Sequence, residues 1–164
     1  MNMTLPKVYR VRQNFPSSRI ENVAETVHAE LAKLNLEKTV KPGETVAITV
    51  GSRGIANIAL IIKTTVDFLK SIEAVPFIVP AMGSHGGGTA DGQTEVIAAY
   101  GITAETMGVE VRSSMETVIV DTPSHGIPVH FDKHAYEADH VLICGRVKPH
   151  TRFVGDIESG LHKM

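Results

Sequence analysis

Three short apolar runs, Glu44 to Val50, Ala74 to Pro80 and Val141 to Cys144, each end in a polar, glycine-containing stretch, and helical patterns lie between them. Runs of this length bounded by turn residues read as buried strands. Strands separated by helical segments run parallel, because a parallel connection needs a crossover of a dozen or more residues. The sequence therefore predicts an α/β fold: a largely parallel sheet with helices on both faces, a Rossmann-like three-layer sandwich.

The rest of the chain fits that frame. Val8 to Val11 alternates with basic residues and predicts a short first strand, ended by Asn14-Phe-Pro16. Ser17 or Ser18 would cap a helix whose apolar positions Ile20, Val23, Ala24, Val27, Leu31 and Leu34 follow three-and-four spacing. A second helix is predicted over about Ile55 to Ser71. A third is predicted over about Gly92 to Tyr100, closed by Gly101 where a left-handed residue ends helices. Val109 to Val111, Thr117 to Val120 and Ile127 to Phe131 predict short strands, and Ala135 to Ala138 a brief helical turn. No repeat, low-complexity segment or internal linker interrupts residues 1–164, which read as one domain.

Composition removes several classes of function. With 43% hydrophobic and 21% charged residues the chain reads as globular, and a formal net charge of −2 with no dense Lys/Arg run leaves no electrostatic footprint for nucleic acid. The single cysteine, Cys144, excludes an internal disulfide and a multi-cysteine zinc site, and its apolar neighbours make it a small buried residue. No segment approaches the roughly 18 consecutive apolar residues of a membrane span, and the N-terminus lacks a basic region followed by an apolar core. A cytoplasmic protein without a membrane partner is expected.

Chemistry is expected where the strands end. In a parallel sheet the carboxyl ends share one edge, so Gly51-Ser-Arg-Gly54, Met82-Gly-Ser-His-Gly-Gly-Gly-Thr-Ala-Asp91 and the segment from Arg146 to Lys163 would line one crevice. Arg53 offers a planar fork suited to carboxylate or phosphate. His85 lies among glycines that permit close approach of the main chain to a ligand, and imidazole passes protons near neutrality. No Gly-Lys-Ser/Thr follows, so this loop is not a P-loop. His150 follows Lys148-Pro149 on an extended exit from the last strand. His28 reads as solvated, and His125, His130, His134 and His140 lack the spacing of a ligand pair on one helix face. Asp91, Asp156 and Glu158 read as ordinary loop charges.

Ser52-Arg53 after one strand, Gly83-Ser-His85 after the next, and Lys148-Pro-His150 continuing through Gly155, Ser159-Gly160 and Lys163 resemble the N-terminal domain of the nickel-dependent lactate racemase family. The resemblance implies that His85 and His150 are paired acid/base catalysts and that Arg53 holds substrate. It implies that Lys163 tethers a nickel pincer nucleotide, a pyridinium bis-thiocarboxylic acid mononucleotide, with Ser52, Gly83, Ser159 and Gly160 in cofactor contact. The chain stops short of the family's nickel-ligating histidine, His162 does not align with it, and no metal ligand is assigned here. The resemblance covers nearly all of this chain but less than half of a full-length member, which implies a C-terminal domain outside it.

Two histidines suit racemisation of a 2-hydroxy acid, which needs a hydride acceptor over the α-carbon and one base on each face. The implied partners are a small 2-hydroxy acid and the C-terminal domain, and a homo-oligomer is compatible with both. The stretch Gly-Ser-Arg-Gly-Ile replaces the family's Asp-x-Thr-Arg-Pro type signature, glycines follow His85 where lactate racemases carry arginine, and the segment between His150 and Ser159 is longer. These departures imply a divergent branch whose substrate need not be lactate. Two readings from other classes stand beside the enzyme: a nucleotide- or phosphate-binding module without chemistry, and an oligomeric structural domain with incidental histidines.

Overall fold

A computed structural model describes residues 8–16, 19–52, 54–146 and 155. Helix α1 (Val23–Lys33) is capped by Asn22, whose side chain accepts from the Glu25 N–H at 3.1 Å while its amide donates to the Glu25 carboxylate at 2.9 Å. The expected cap at Ser17 or Ser18 falls outside the described residues. Ile20 precedes the helix and is exposed, as is Leu34 at the C-cap, so the buried stripe is shorter than the periodicity implied. Val8 to Val11 forms no strand. Its residues are exposed, and alternation without an edge to pair against supplies no ladder hydrogen bonds.

Strand β1 (Thr45–Val50) is the centre of the sheet, and β2 (Val75–Pro80) pairs parallel to it from Thr45↔Val75 to Val50↔Pro80. Between them, helix α2 (Ile58–Ser71) starts three residues later than predicted, because Asn57 sits in a left-handed conformation at φ 57°. Its Ile58, Ile62, Val66 and Leu69 seal Val46, Ile48 and Val50, and the buried Phe68 makes a T-shaped contact with His28 of α1, ring centroids 5.2 Å apart. Thr89 caps helix α3 (Ala90–Ala98) by accepting from the Gly92 N–H at 3.1 Å, which moves its start ahead of the predicted Gly92. Gly101 follows with φ 82°, in the terminating role expected of it.

Helix α4 (Ala104–Met107) was not predicted, since four residues carry no periodicity. A reciprocal cap between Thr103 and Thr106 starts it and places Met107 in the core. The expected strand at Val109 to Val111 reduces to one parallel bridge, Ile78↔Val111. Strands β3 (Thr117–Asp121) and β4 (Val129–Asp132) form a separate antiparallel pair, bulged between Ile119 and Asp121. Asp132 caps the short helix α5 (Lys133–Tyr136), and β5 (His140–Cys144) returns to pair parallel with β1 on the side opposite β2.

The three-stranded parallel sheet, ordered β2-β1-β5, carries helices as an α/β sandwich does. Its faces are unequally covered. Val46, Ile48, Val50 and Ile78 pack with α2 and with Ile97, Ile102 and Met107. Opposite, Ala47, Phe77 and Val79 pack with Ala135 and Ala138 around α5, and the Arg112 guanidinium lies 4.0 Å over the Phe77 ring. Val141 and Ile143 on that side remain 36% and 50% exposed. No helix among the described residues is long and apolar enough to cross a membrane.

Candidate active site at the carboxyl edge of the sheet

Because β1 pairs with β2 on one side and β5 on the other, the strand order reverses at β1, and the connections leave in opposite directions there. The register puts Val50, Pro80 and Cys144 level, so the loops that follow them start at one edge. The Ala81 N–H donates to the Val50 carbonyl at 2.8 Å and extends this alignment one residue beyond the ladder.

Ser52, in the loop after β1, is buried, and its Oγ is hydrogen bonded to Nδ1 of His85 in the loop after β2. The bond joins positions 33 residues apart. It leaves Nε2 of His85 without a protein partner among the described residues. If Nδ1 carries the proton and donates it to Ser52, Nε2 has a lone pair with which to take one. If Nε2 is protonated, the Ser52 hydroxyl donates to Nδ1 and the ring can give a proton.

The His85 loop is held from below. Gln93 of α3 is 6% exposed, and its Nε2 donates to the Gly83 carbonyl at 2.8 Å. Gly86, at φ 63°, lies directly against Gly92: a Cβ on Gly86 would stand 2.4 Å from the Gly92 carbonyl carbon, and one on Gly92 would stand 2.0 Å from the Gly86 oxygen. Backbone approach this close admits glycine alone. By contrast, open space surrounds the Cβ positions of Gly83, Gly87 and Gly88. That side of the loop leaves the main chain open.

The third loop brings Arg146, a residue that sequence reasoning left without a role. Its Nη1 donates to the Gly54 carbonyl at 2.7 Å, and Gly54 has φ 74° with its missing Cβ only 2.6 Å from that nitrogen. Ile55, Ile58, Ile61, Ile62, Ile143, Cys144 and Gly145 line a hollow of about 200 Å³ beside it. Burial pushes the Cys144 thiol up to about 11, so it stays protonated and unreactive near neutrality. Arg146 was detectable as the first charge after a strand end. Gln93 carried no signal, since its role depends on a contact ten residues back.

Of the site residues expected from sequence, the structure brings Ser52, Gly83 and His85 together at one edge. Arg53, His150, Ser159, Gly160 and Lys163 lie outside the described residues. His140 is at the opposite edge, 2.8 Å from the Glu44 carboxylate, and His130 is hydrogen bonded to Thr117 at 2.9 Å. Among the described residues no three His, Cys, Asp or Glu side chains converge as metal ligands would.

The domain is an α/β sandwich on a parallel sheet, with a histidine, a buried hydroxyl and a guanidinium gathered at the carboxyl edge of its strands. Residues 2–155 match the lactate racemase N-terminal domain, and the chain belongs to that family. No curated protein and no solved structure matches it.

Proposed function

We propose that this chain is the N-terminal lobe of a lactate racemase-like isomerase that inverts a 2-hydroxy acid, with His85 and His150 as its two proton-transfer groups. The observation that carries the reading is the Ser52–His85 hydrogen bond, which orients an imidazole at the sheet edge of a chain belonging to this family.

The described residues suit an anionic nucleotide cofactor. The open side of the glycine loop offers main chain where side chains would stand, and Ser52 adds a hydroxyl. A nickel pincer nucleotide, held by Ser52, Gly83, Ser159 and Gly160 and tethered at Lys163, would supply a hydride acceptor that takes hydrogen from the α-carbon and returns it. Arg53 holds the substrate carboxylate. His85 then accepts the hydroxyl proton from one enantiomer, and His150 serves the other from the opposite face. In one direction His85 keeps the hydroxyl proton while a protonated His150 gives one to the carbonyl oxygen on the other face; the reverse reaction or exchange with water resets both rings, so no co-reactant is consumed. Ser52 keeps the His85 ring turned so that one nitrogen faces the ligand.

The reading is tested on the full-length protein co-produced with enzymes that make the pincer nucleotide. Mass spectrometry and metal analysis are expected to find an adduct and nickel that Lys163→Ala abolishes, and chiral chromatography to find racemisation lost in His85→Ala and His150→Ala. Racemisation that persists in the double histidine variant overturns the assignment. Binding of a phosphate-bearing ligand that survives in that variant, with no isomerase activity in the parent, establishes a binding module instead.

A further inference from the structure

A cation links the loops that follow β1 and β5: the Arg146 guanidinium donates to the Gly54 carbonyl at 2.7 Å. Gly54 takes a left-handed conformation at φ 74°, and the Arg146 guanidinium lies against it, 2.6 Å from where a Cβ would stand. Only that one donor of the exposed guanidinium is used within the described residues, and no carboxylate partner is among them. The remaining N–H groups form a fork suited to a carboxylate. Immediately adjacent, Gly145 and Ile55 flank the hollow of about 200 Å³, whose other walls are Ile58, Ile61, Ile62, Ile143 and Cys144. A charged fork beside an apolar hollow is complementary to a molecule with a carboxylate at one end and a hydrocarbon group at the other. Liquid water occupies only about 30 Å³ per molecule, so the hollow is larger than a methyl group requires.

We propose that Arg146 binds the substrate carboxylate and that the isoleucine-lined hollow takes the side chain. The preferred substrate is then a 2-hydroxy acid with a branched or longer apolar side chain rather than lactate. This rests on the proposed isomerase reading and narrows it. Arg146 selects for the carboxylate, and the hollow selects for size. A hydrophobic pocket discriminates by roughly 10- to 200-fold for a methylene that it is built to hold.

The test has two arms on the full-length protein. In the first, calorimetric titration of cofactor-free protein compares 2-hydroxy-4-methylpentanoate, lactate and inorganic phosphate. The branched acid is expected to bind at least tenfold tighter than lactate, with Arg146→Gln weakening both acids about tenfold or more and Arg146→Lys restoring part of that loss. Ile61→Phe, which fills the hollow, is expected to bring the two acids towards equal affinity. In the second arm, loaded enzyme is assayed for racemisation of both acids alongside its nickel content. Loss of nickel in Arg146→Gln with unchanged KM assigns the guanidinium to the cofactor phosphate and overturns the proposal, as does inorganic phosphate outcompeting the branched acid in the first arm. Equal or better turnover of lactate overturns it while leaving the isomerase reading intact. Failure of loaded enzyme to racemise any acid removes the isomerase reading, and the size and charge preferences in the binding arm then decide the pocket assignment alone.

Discussion

At the scale of single residues the candidate site depends on contacts that cross between loops. Ser52→Ala removes the hydrogen-bond partner of Nδ1 and leaves Nε2 in place. A tenfold to hundredfold fall in kcat is expected, the range found when the partner orienting a functional histidine is lost. His85→Ala should cost about 10²- to 10⁴-fold, the usual contribution of a general acid/base group. Parallel measurement of kcat and the pH profile separates the two, since only the positioning variant keeps the imidazole. Gly92 gives a prediction of opposite sign to the general rule. In an ordinary helix Gly→Ala gains about 1 kcal/mol. Here the new Cβ would stand 2.0 Å from the Gly86 oxygen, so Gly92→Ala is expected to lose roughly 1–3 kcal/mol in urea denaturation.

Among the elements, α2 joins the core to the site, because its body seals β1 and its Ile58, Ile61 and Ile62 line the hollow beside Gly145. Ile62, 1% exposed, and Leu60, 45% exposed, lie two positions apart on opposite sides of the helix. Ile62→Ala is expected to cost about 2–5 kcal/mol and Leu60→Ala about 0.5 kcal/mol or less, measured by chemical denaturation. This contrast was readable from three-and-four spacing. The cap of α1 was not: Asn22 competes with Ser17 and Ser18 as a residue type, and only the backbone turning at Asn22 decides which oxygen reaches an N–H. Asn57 likewise delayed α2 by adopting a left-handed conformation that nothing in its neighbours demanded.

For the molecule as a whole, acid stability is set at the edge opposite the site. Thr45 donates its N–H to Asp139 at 2.8 Å and its hydroxyl at 2.7 Å, which together hold that carboxyl below its ordinary range. The Lys41 N–H, and after it His140, do the same for Glu44. Both groups bind a proton less readily folded than unfolded. Their contribution is therefore complete above the unfolded carboxylate range near pH 4 and is lost as pH falls through the lower folded values. The urea midpoint should decline as pH drops below about 4, and more shallowly in Asp139→Asn, since an amide cannot titrate. Because Thr45 and Asp139 are 94 residues apart, the same contacts close β5 onto β1.

The alternation of apolar runs with helical patterns determined the α/β class and the placement of glycine loops at strand ends, since burial on both faces demands continuous apolar strands. The same local logic located Gly101 as a helix end and His85 in the glycine loop that follows β2. The tertiary structure alone decided that β5 returns beside β1, that Ser52 meets His85, that Gly86 must pass Gly92, and that Arg146 lies against Gly54. The physical reason is range. Periodicity and capping act within one helical turn or one strand, whereas each of these contacts depends on strand order or on how separate backbones pack.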